Sequence, residues 1–357
     1  MKTIRVGIIG QGRSGRGIHG AQLKKDPKHY RIVAVSDALE DRRKRAAEEY
    51  GCDTHADYRE LFQRKDLDLV VNTTPSHLHV PVTLEILKAG FNVLCEKPLA
   101  RYAAEVDKLI AASKKSGKLL AIFQQSRYAP HFRQVKKIID SGVLGRIVQI
   151  SAAMSGYARR WDWQTLQENN GGNLMNTGPH PLDQVLVLFG EGTPRVNCFM
   201  DRANTFGDAE DYVKVVLSGD RNPVIDLEIS SCQAYPGPAF VVQGTRGGLK
   251  ATTGAAEWKY FKPGEAPKQK LIRTPITNAE GLPAYVSEKL TWHEEKWEVP
   301  AAQADIYSCM VAAFYEDLYR TLTKGAPLEI TPQQVRRQIA VIEECQRQNP
   351  KIYKNAK

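Results

Sequence analysis

The chain has 357 residues, more than one ordinary hydrophobic core holds, so we expect two domains or one large domain with an insertion. Its 42% hydrophobic and 25% charged residues are typical of a globular protein and exclude a disordered or fibrous one. The net charge is +10, but 50 Lys and Arg residues are interleaved with 40 Asp and Glu residues, so we expect no nucleic-acid partner. No apolar run approaches the roughly 20 residues of a membrane helix, and no signal-peptide pattern opens the sequence. We therefore predict a cytoplasmic protein without membrane contact.

The first third of the chain alternates apolar runs with amphipathic segments. The predicted strands are 4–9, 31–36, 69–72, 92–95 and 119–123. The predicted helices are 41–50, 80–89 and 103–116. Strands that alternate with helices indicate parallel β-α-β units, because a parallel crossover needs a connection of about a dozen residues. We predict an α/β, doubly wound domain over residues 1–123.

Beyond residue 123 the pattern changes to short neighbouring strands. Predicted helices at 130–141 and 181–189 accompany strands at 147–153, 195–200, 211–217, 224–230, 239–243 and 258–261. Strands without intervening helices favour an antiparallel sheet. Two helices are predicted at the end of the chain, within 302–322 and over 332–346, the second capped by Thr331. We therefore predict an α+β domain over residues 124–357.

Six cysteines are scattered without a C-x-x-C pair, so we expect reduced thiols in the core. They are Cys52, Cys95, Cys198, Cys232, Cys309 and Cys345. His77 and His79 lack the carboxylate or cysteine neighbours that a metal ion needs, and we predict no metal site.

A glycine-rich motif, G-x-G-x-x-G at residues 10–15, follows the first predicted strand directly. Glycines at this spacing allow a tight turn and close approach of the backbone to a pyrophosphate, at the start of a helix. The residues of this loop predicted to hold a dinucleotide are Gly10, Gly12, Arg13, Ser14 and Gly15. The alternative is a glycine turn in an unrelated α/β domain.

Asp37 ends the second predicted strand, at the position from which a carboxylate accepts hydrogen bonds from an adenosine ribose. Its charge repels a 2′-phosphate. We therefore predict NAD as the cofactor, with NADP less favoured. Arg42 and Arg43 follow at a distance and can soften this preference.

Three further motifs carry a family resemblance. They are T-P-S-H-L-H at 74–79, A-G-F-N-V-L-C-E-K-P-L-A at 89–100 and G-P-H-P-L-D at 178–183. In this order the chain closely resembles the Gfo/Idh/MocA oxidoreductases, which include inositol dehydrogenases and glucose–fructose oxidoreductase. The resemblance implies an N-terminal Rossmann domain and a C-terminal domain with a large, mostly antiparallel open sheet. It also implies a homodimer or homotetramer and a carbohydrate or polyol substrate.

The same resemblance implies that Lys97 and His180 are catalytic. Oxidation of a carbinol requires a base for the hydroxyl proton, and a neutral imidazole takes a proton near neutrality. Lys97 can hold the developing alkoxide and relay the proton. Asn176 stands where the family usually has aspartate, and a neutral amide can only orient the ring or bind substrate. Either Lys97 becomes the main acid/base or the pH optimum shifts.

By position, the resemblance also implies cofactor contacts from Thr74, Pro75, His79, Glu96, Lys97 and Gln125. Tyr157, Trp161 and Trp163 belong to an aromatic segment suited to stacking on a sugar ring, and Arg127 can add a contact. With Asn176 and His180 they are the predicted substrate residues. The alternative places the tryptophans in the core or in a subunit interface.

Three functions remain open. The first is NAD-dependent oxidation of a secondary hydroxyl on a sugar, cyclitol or glycoside, or reduction of the ketone. The second is cleavage of a glycosidic bond through transient oxidation and elimination. The third is a noncatalytic NAD-binding interaction protein.

Overall fold

The N-terminal part of the computed structural model, which describes residues 2–354, is a six-stranded parallel sheet. Its strands are β1 Ile4–Ile9, β2 Tyr30–Ser36, β3 Asp53–His55, β4 Leu69–Asn72, β5 Asn92–Cys95 and β6 Leu120–Ile122. The strand order is β3-β2-β1-β4-β5-β6. Every residue of β4 is buried, as expected for a parallel strand covered on both faces.

Helices connect these strands. A π-helical turn at Gly15–Gly20 leads into α1 Ala21–Lys25, and α2 Glu40–Tyr50, α3 His79–Lys88 and α4 Ala103–Ser116 follow. The chain order changes direction between β1 and β4, the place where doubly wound sheets open a crevice for ligands.

The second sheet has eight strands. They are β7 Ile147–Ser155, β8 Arg195–Asp201, β9 Tyr212–Ser218, β10 Val224–Ser230, β11 Phe240–Gly244, β12 Gly247–Ala251, β13 Ala255–Tyr260 and, after the short pair β14 Ile276–Thr277 and β15 Pro283–Ala284, β16 His293–Glu298. The order is β16-β13-β12-β11-β7-β10-β9-β8, and β7 with β10 is its parallel pair. Helices α5 Pro130–Asp140 and α7 Pro179–Phe189 pack on this sheet, and the short helix α6 Asn173–Asn176 precedes α7.

The last two helices, α8 Ile306–Lys324 and α9 Pro332–Arg347, return to the parallel sheet. Tyr30 in β2 donates a hydrogen bond to the carbonyl oxygen of Tyr315 in α8 over 2.7 Å. Arg336 in α9 pairs with Asp107 in α4 at 3.1 Å. The predicted division of the chain at residue 123 stays a prediction, since the C-terminal segment packs on both sheets.

The predicted fold class is confirmed, and Thr331 caps α9 as expected. The expectation that all six cysteines lie in the core is wrong: Cys232 is exposed, and Cys52 and Cys309 are only partly buried. These three lie near turns and helix ends rather than in strand interiors. Within residues 2–354, no helix combines the length and apolar character needed to cross a membrane.

Candidate active site

A cleft of about 950 Å³ lies between the parallel sheet and the segments around α6 and α7. Most of the residues singled out in the sequence line it together. They are Gly10, Gly12, Arg13, Ser14, Asp37, Thr74, Pro75, His79, Glu96, Lys97, Gln125, Trp163, Asn176 and His180.

The glycine loop forms one wall of the cleft. Gly10 has φ of 95°, a conformation that side chains disfavour. Gly15 does not line the cleft, but a Cβ placed on it would lie 1.9 Å from the carbonyl oxygen of Gly10. Glycine at this position is therefore required for the helix to approach the strand closely.

Asp37 lies at the end of β2 and is buried. Its Oδ2 accepts a hydrogen bond from the Gln11 amide over 2.7 Å, and its Oδ1 accepts one from the Leu39 amide over 2.9 Å. The Arg42 guanidinium lies 3.4 Å from Oδ2. The Asp37 carboxylate, which we expect to bind the adenosine ribose, therefore has the Arg42 cation next to it.

His79 connects two turns that border the cleft. Its Nδ1 is 2.7 Å from the carbonyl oxygen of Pro98, and its Nε2 is 3.0 Å from that of Thr74. Burial lowers the pKa of His79, and the hydrogen bonds to the two carbonyl oxygens oppose this shift.

Glu96 is buried next to Lys97. Its Oε1 lies 3.1 Å from Nε2 of His19, whose Nδ1 lies 2.6 Å from the Tyr315 hydroxyl. Burial alone would raise the pKa of Glu96, but the His19 hydrogen bond and the neighbouring positive charges outweigh it and lower that pKa to about 2. Glu96 is therefore an anion at neutral pH.

Lys97 follows β5 and reaches toward α6. Its Nζ donates a hydrogen bond to the backbone carbonyl oxygen of Asn176 over 2.8 Å. Burial lowers the pKa of Lys97; the charge of Glu96 opposes this, and Arg13 and Arg160 lower it further. A lysine with a lowered pKa exchanges a proton more readily than an exposed one.

His180 stands in the first turn of α7. Its Nδ1 lies 3.2 Å from Oγ of Ser126. Burial, together with the charge of Lys97, lowers the pKa of His180 to about 3. The side-chain amide of Asn176 pairs at 3.4 Å with Gln164, so the His180 ring is held by Ser126 instead.

Arg127, a predicted substrate residue, does not line the cleft. Its Nε donates to Asp183 over 2.8 Å, its Nη1 donates to the carbonyl oxygen of Glu329 over 3.0 Å, and its side chain is buried. Gln184 in the same helix α7 donates to the carbonyl oxygen of Ser126 over 2.7 Å. These bonds attach α7 to the 125–128 turn and so hold His180 near Ser126.

The aromatic segment is split. Trp163 lines the cleft at 48% exposure, whereas Trp161 and Tyr157, at 78% and 63%, lie outside it. The predicted site residues do not include Ser126, Gln164 or Tyr307, and Arg160 was expected only as one of the hydrogen-bonding side chains of the 157–163 segment. Tyr307, at the start of α8, lines the cleft from the far end of the chain.

Comparisons with known proteins agree with this arrangement. A model of the oxidoreductase family with an NAD-binding Rossmann fold matches residues 4–124. A model of the GFO/IDH/MocA C-terminal domain matches residues 132–250. These matches confirm the resemblance drawn from the motifs and the presence of an NAD-binding Rossmann domain.

Individual relatives differ in reaction. A 2,7-anhydro-N-acetylneuraminate hydratase from Mediterraneibacter gnavus is 29% identical over 257 residues, 70% of this chain and 67% of the relative. The scyllo-inositol 2-dehydrogenase (NADP(+)) IolW from Bacillus subtilis is 26% identical over 351 residues, 96% of this chain and 92% of the relative. The WlbA dehydrogenase from Bordetella pertussis, solved with NADH and UDP-GlcNAcA, aligns with a TM-score of 0.80 at 20% identity over 98% of this chain and 96% of its own. That structure shares the fold.

Proposed function

Because this chain belongs to the Gfo/Idh/MocA oxidoreductase family, we propose that it oxidises a secondary hydroxyl of a sugar, cyclitol or glycoside, or reduces the corresponding ketone. One observation carries the proposal: Lys97, His180 and the glycine loop line the same cleft. A proton acceptor and a dinucleotide site in one cavity are what alcohol oxidation requires.

The residues present fit NAD. Backbone at Gly10 and Gly12 is open to a pyrophosphate, and Asp37 offers its carboxylate to the adenosine ribose. Gln125 lines the cleft, and its buried Oε1 has no hydrogen-bond partner within residues 2–354, so it can accept a bond from the cofactor's carboxamide. When bound, NAD accepts the hydride from the carbinol carbon.

In this proposal Lys97 in its amine form takes the hydroxyl proton. Its lowered pKa increases the fraction of free amine near neutral pH. His180 is a weak base because its pKa is about 3, so it serves as a neutral hydrogen-bonding group that orients the hydroxyl. Glu96 stays charged near Lys97, and its negative charge favours the ammonium that forms.

The test is oxidation of a panel of inositols, aldoses, sugar acids and glycosides by the purified protein, followed by NADH absorbance. Each substrate is run with NAD and with NADP, since Asp37 favours NAD while IolW is named for NADP(+). Turnover of at least one panel member is expected. Tight NAD binding without turnover of any substrate favours the noncatalytic alternative.

A second function is favoured by the relative named as a hydratase. In this second reaction the oxidation would be transient. The carbonyl would acidify the hydrogen on the neighbouring carbon, and loss of that proton would expel the glycosidic or anhydro oxygen from the next carbon. Release of an aglycone with a catalytic amount of NAD and no net formation of NADH would distinguish this reaction from simple dehydrogenation.

We also predict a homodimer or homotetramer. Light scattering of the purified chain tests this prediction.

A further inference from the structure

More basic than acidic side chains line the cleft. The cations among its described lining residues are Arg13, Arg42, Lys97 and Arg160, and the carboxylates are Asp37 and Glu96. Asp37 and Arg42 pair with each other. Glu96 is buried, and its Oε1 lies 3.1 Å from Nε2 of His19.

The basic side chains come from separate segments of the chain. Arg13 and Arg42 belong to the glycine loop and to the helix behind Asp37, where a dinucleotide brings its own phosphates. Arg160 is linked to Lys97 through two residues: its Nη2 donates to Gln164 over 2.6 Å, Gln164 pairs with Asn176 at 3.4 Å, and Lys97 donates to the Asn176 carbonyl oxygen over 2.8 Å. The charges of Arg13 and Arg160 both lower the pKa of Lys97.

Arg160 is held in a fixed orientation. Its Nε and Nη2 donate to the two carboxylate oxygens of Asp162 over 2.9 and 2.8 Å, and Nη2 also donates to Gln164 over 2.6 Å. Among the residues that the structure describes, Nη1 of Arg160 has no hydrogen-bond partner. The free Nη1 retains two N–H donors that point in different directions, and one of them can donate to a carboxylate oxygen in the cleft.

Asp162 supports Arg160 from outside the cleft, because Arg160 and Gln164 line the cavity and Asp162 does not. Nη1 of Arg160 can therefore donate to a substrate carboxylate in the cleft, while the neutral Lys97 amine takes the hydroxyl proton. Arg160 is partly buried, and a hydrogen bond from its charged guanidinium is stronger there than at an exposed surface.

We propose that Arg160 binds the carboxylate of the substrate, and that the substrate is an acidic sugar or a carboxylated cyclitol. This inference rests on the proposed function and narrows its substrate class. Trp163, on the same stretch of chain, offers a face for the ring of such a molecule.

The test compares matched substrates that differ in charge: glucuronate with glucuronamide, galacturonate with galactose, and glucose 6-phosphate as the phosphate arm. KM and kcat are measured with the full chain, NAD and each compound, and binding to the NADH-loaded protein is measured by calorimetry. The variant is Arg160→Gln. Its control is Arg159→Gln, since Arg159 is exposed and stacks on Phe206 at 5.3 Å outside the cleft.

We expect the acids to have the lower KM, and Arg160→Gln to raise KM or Kd for acids by about tenfold to a hundredfold, far more than for the matched neutral compounds. Arg159→Gln should match the wild type. Because loss of Arg160 removes a charge that depresses the pKa of Lys97, the variant's rate should also reach its alkaline plateau at a higher pH.

Neutral sugars oxidised as well as acids, with Arg160→Gln indistinguishable from Arg159→Gln, would overturn this inference and leave the proposed function intact. Stronger binding of the phosphate than of the carboxylates would overturn the carboxylate class. If no compound is oxidised, the calorimetry decides: acid binding that depends on Arg160 supports the inference while the proposed function fails, and no acid binding overturns both.

Discussion

Lys97 donates its hydrogen bond to the backbone carbonyl oxygen of Asn176, 2.8 Å away, and not to its side chain. The two residues are 79 positions apart and bring the segment after β5 against α6. Because a backbone oxygen is the acceptor, the position of Lys97 does not depend on the identity of the side chain at 176. The family's usual aspartate would therefore add a charge without removing this contact.

Replacement of Lys97 by methionine tests its role in proton transfer. We expect kcat to fall by about a hundredfold or more, because the substrate hydroxyl loses its acceptor. Turnover is measured at saturating NAD. Lys108→Met, on the exposed side of α4, is the control and should keep the wild-type rate. Equal turnover in Lys97→Met and Lys108→Met would exclude Lys97 from the chemistry.

The pH profile separates Lys97 from His180. The lowered pKa of Lys97 predicts that oxidation accelerates with pH to a midpoint below 10.5, since the free amine is the acceptor. Asn176→Asp should move this midpoint upward, because a carboxylate favours the charged ammonium. His180→Gln should leave it in place, since His180 is neutral above about pH 3. A profile that is flat from pH 5 to 10 would instead identify His180 as the acceptor.

Much of the fold was predictable because burial leaves a strong apolar pattern. Strands β4 and β5 have the predicted bounds, and both are buried along most of their length. Two of the strands that were not predicted, β3 and β16, lack this pattern. β3 has three residues at the sheet edge, and β16 reads His-Glu-Glu-Lys-Trp-Glu at the edge of the second sheet, where solvent exposure removes the need for apolar residues.

The site residues that belong to a local sequence motif were predictable, whereas those that depend on tertiary contacts were not. Lys97 and His180 stand in such motifs. Ser126 meets His180 across 54 positions, and no local spacing indicates that contact. Arg127 was expected at the substrate because an arginine beside a tyrosine suits carbohydrate, yet Asp183 lies 56 positions away and binds it in the interior. Sequence alone does not say which arginine is buried.

Cofactor choice depends on Asp37. We expect Asp37→Ser to lower the ratio of kcat/KM for NAD to that for NADP by about tenfold or more, because the variant loses the repulsion of a 2′-phosphate while Arg42 remains. Asp41→Ser, in the exposed first turn of α2, is the control. If Asp41→Ser changes the ratio as much as Asp37→Ser does, the effect comes from surface charge in general.

The two tryptophans test which part of the aromatic segment contacts substrate. Trp163 lines the cleft, so Trp163→Ala should raise the substrate KM by about tenfold through loss of a stacking contact. Trp161→Ala removes a larger exposed area outside the cleft and should leave KM unchanged. Both are measured with the best substrate of the panel. A rise in KM in Trp161→Ala alone would show that the substrate ring does not stack on Trp163.

The raised pKa of Glu210 predicts that the free energy of unfolding depends on pH. It is buried, its Oε1 accepts a bond from the Leu174 amide over 2.7 Å, and Tyr353 also contacts it, so it ties α6 to the C-terminal tail. Burial raises its pKa from 4.5 to about 7, although the hydrogen bonds oppose this. Since the protonated form is favoured in the fold, its contribution is complete below pH 4.5 and is lost as pH rises through 7.

The free energy of unfolding, measured in urea at pH 5 and pH 8, should therefore fall in the wild type by up to about 3 kcal/mol from this group. Glu210→Gln cannot ionise and should lose correspondingly less over the same interval. Glu168→Gln, an exposed carboxyl nearby in the chain, should behave like the wild type. An equal loss of stability in Glu210→Gln and Glu168→Gln would show that Glu210 does not titrate in this range.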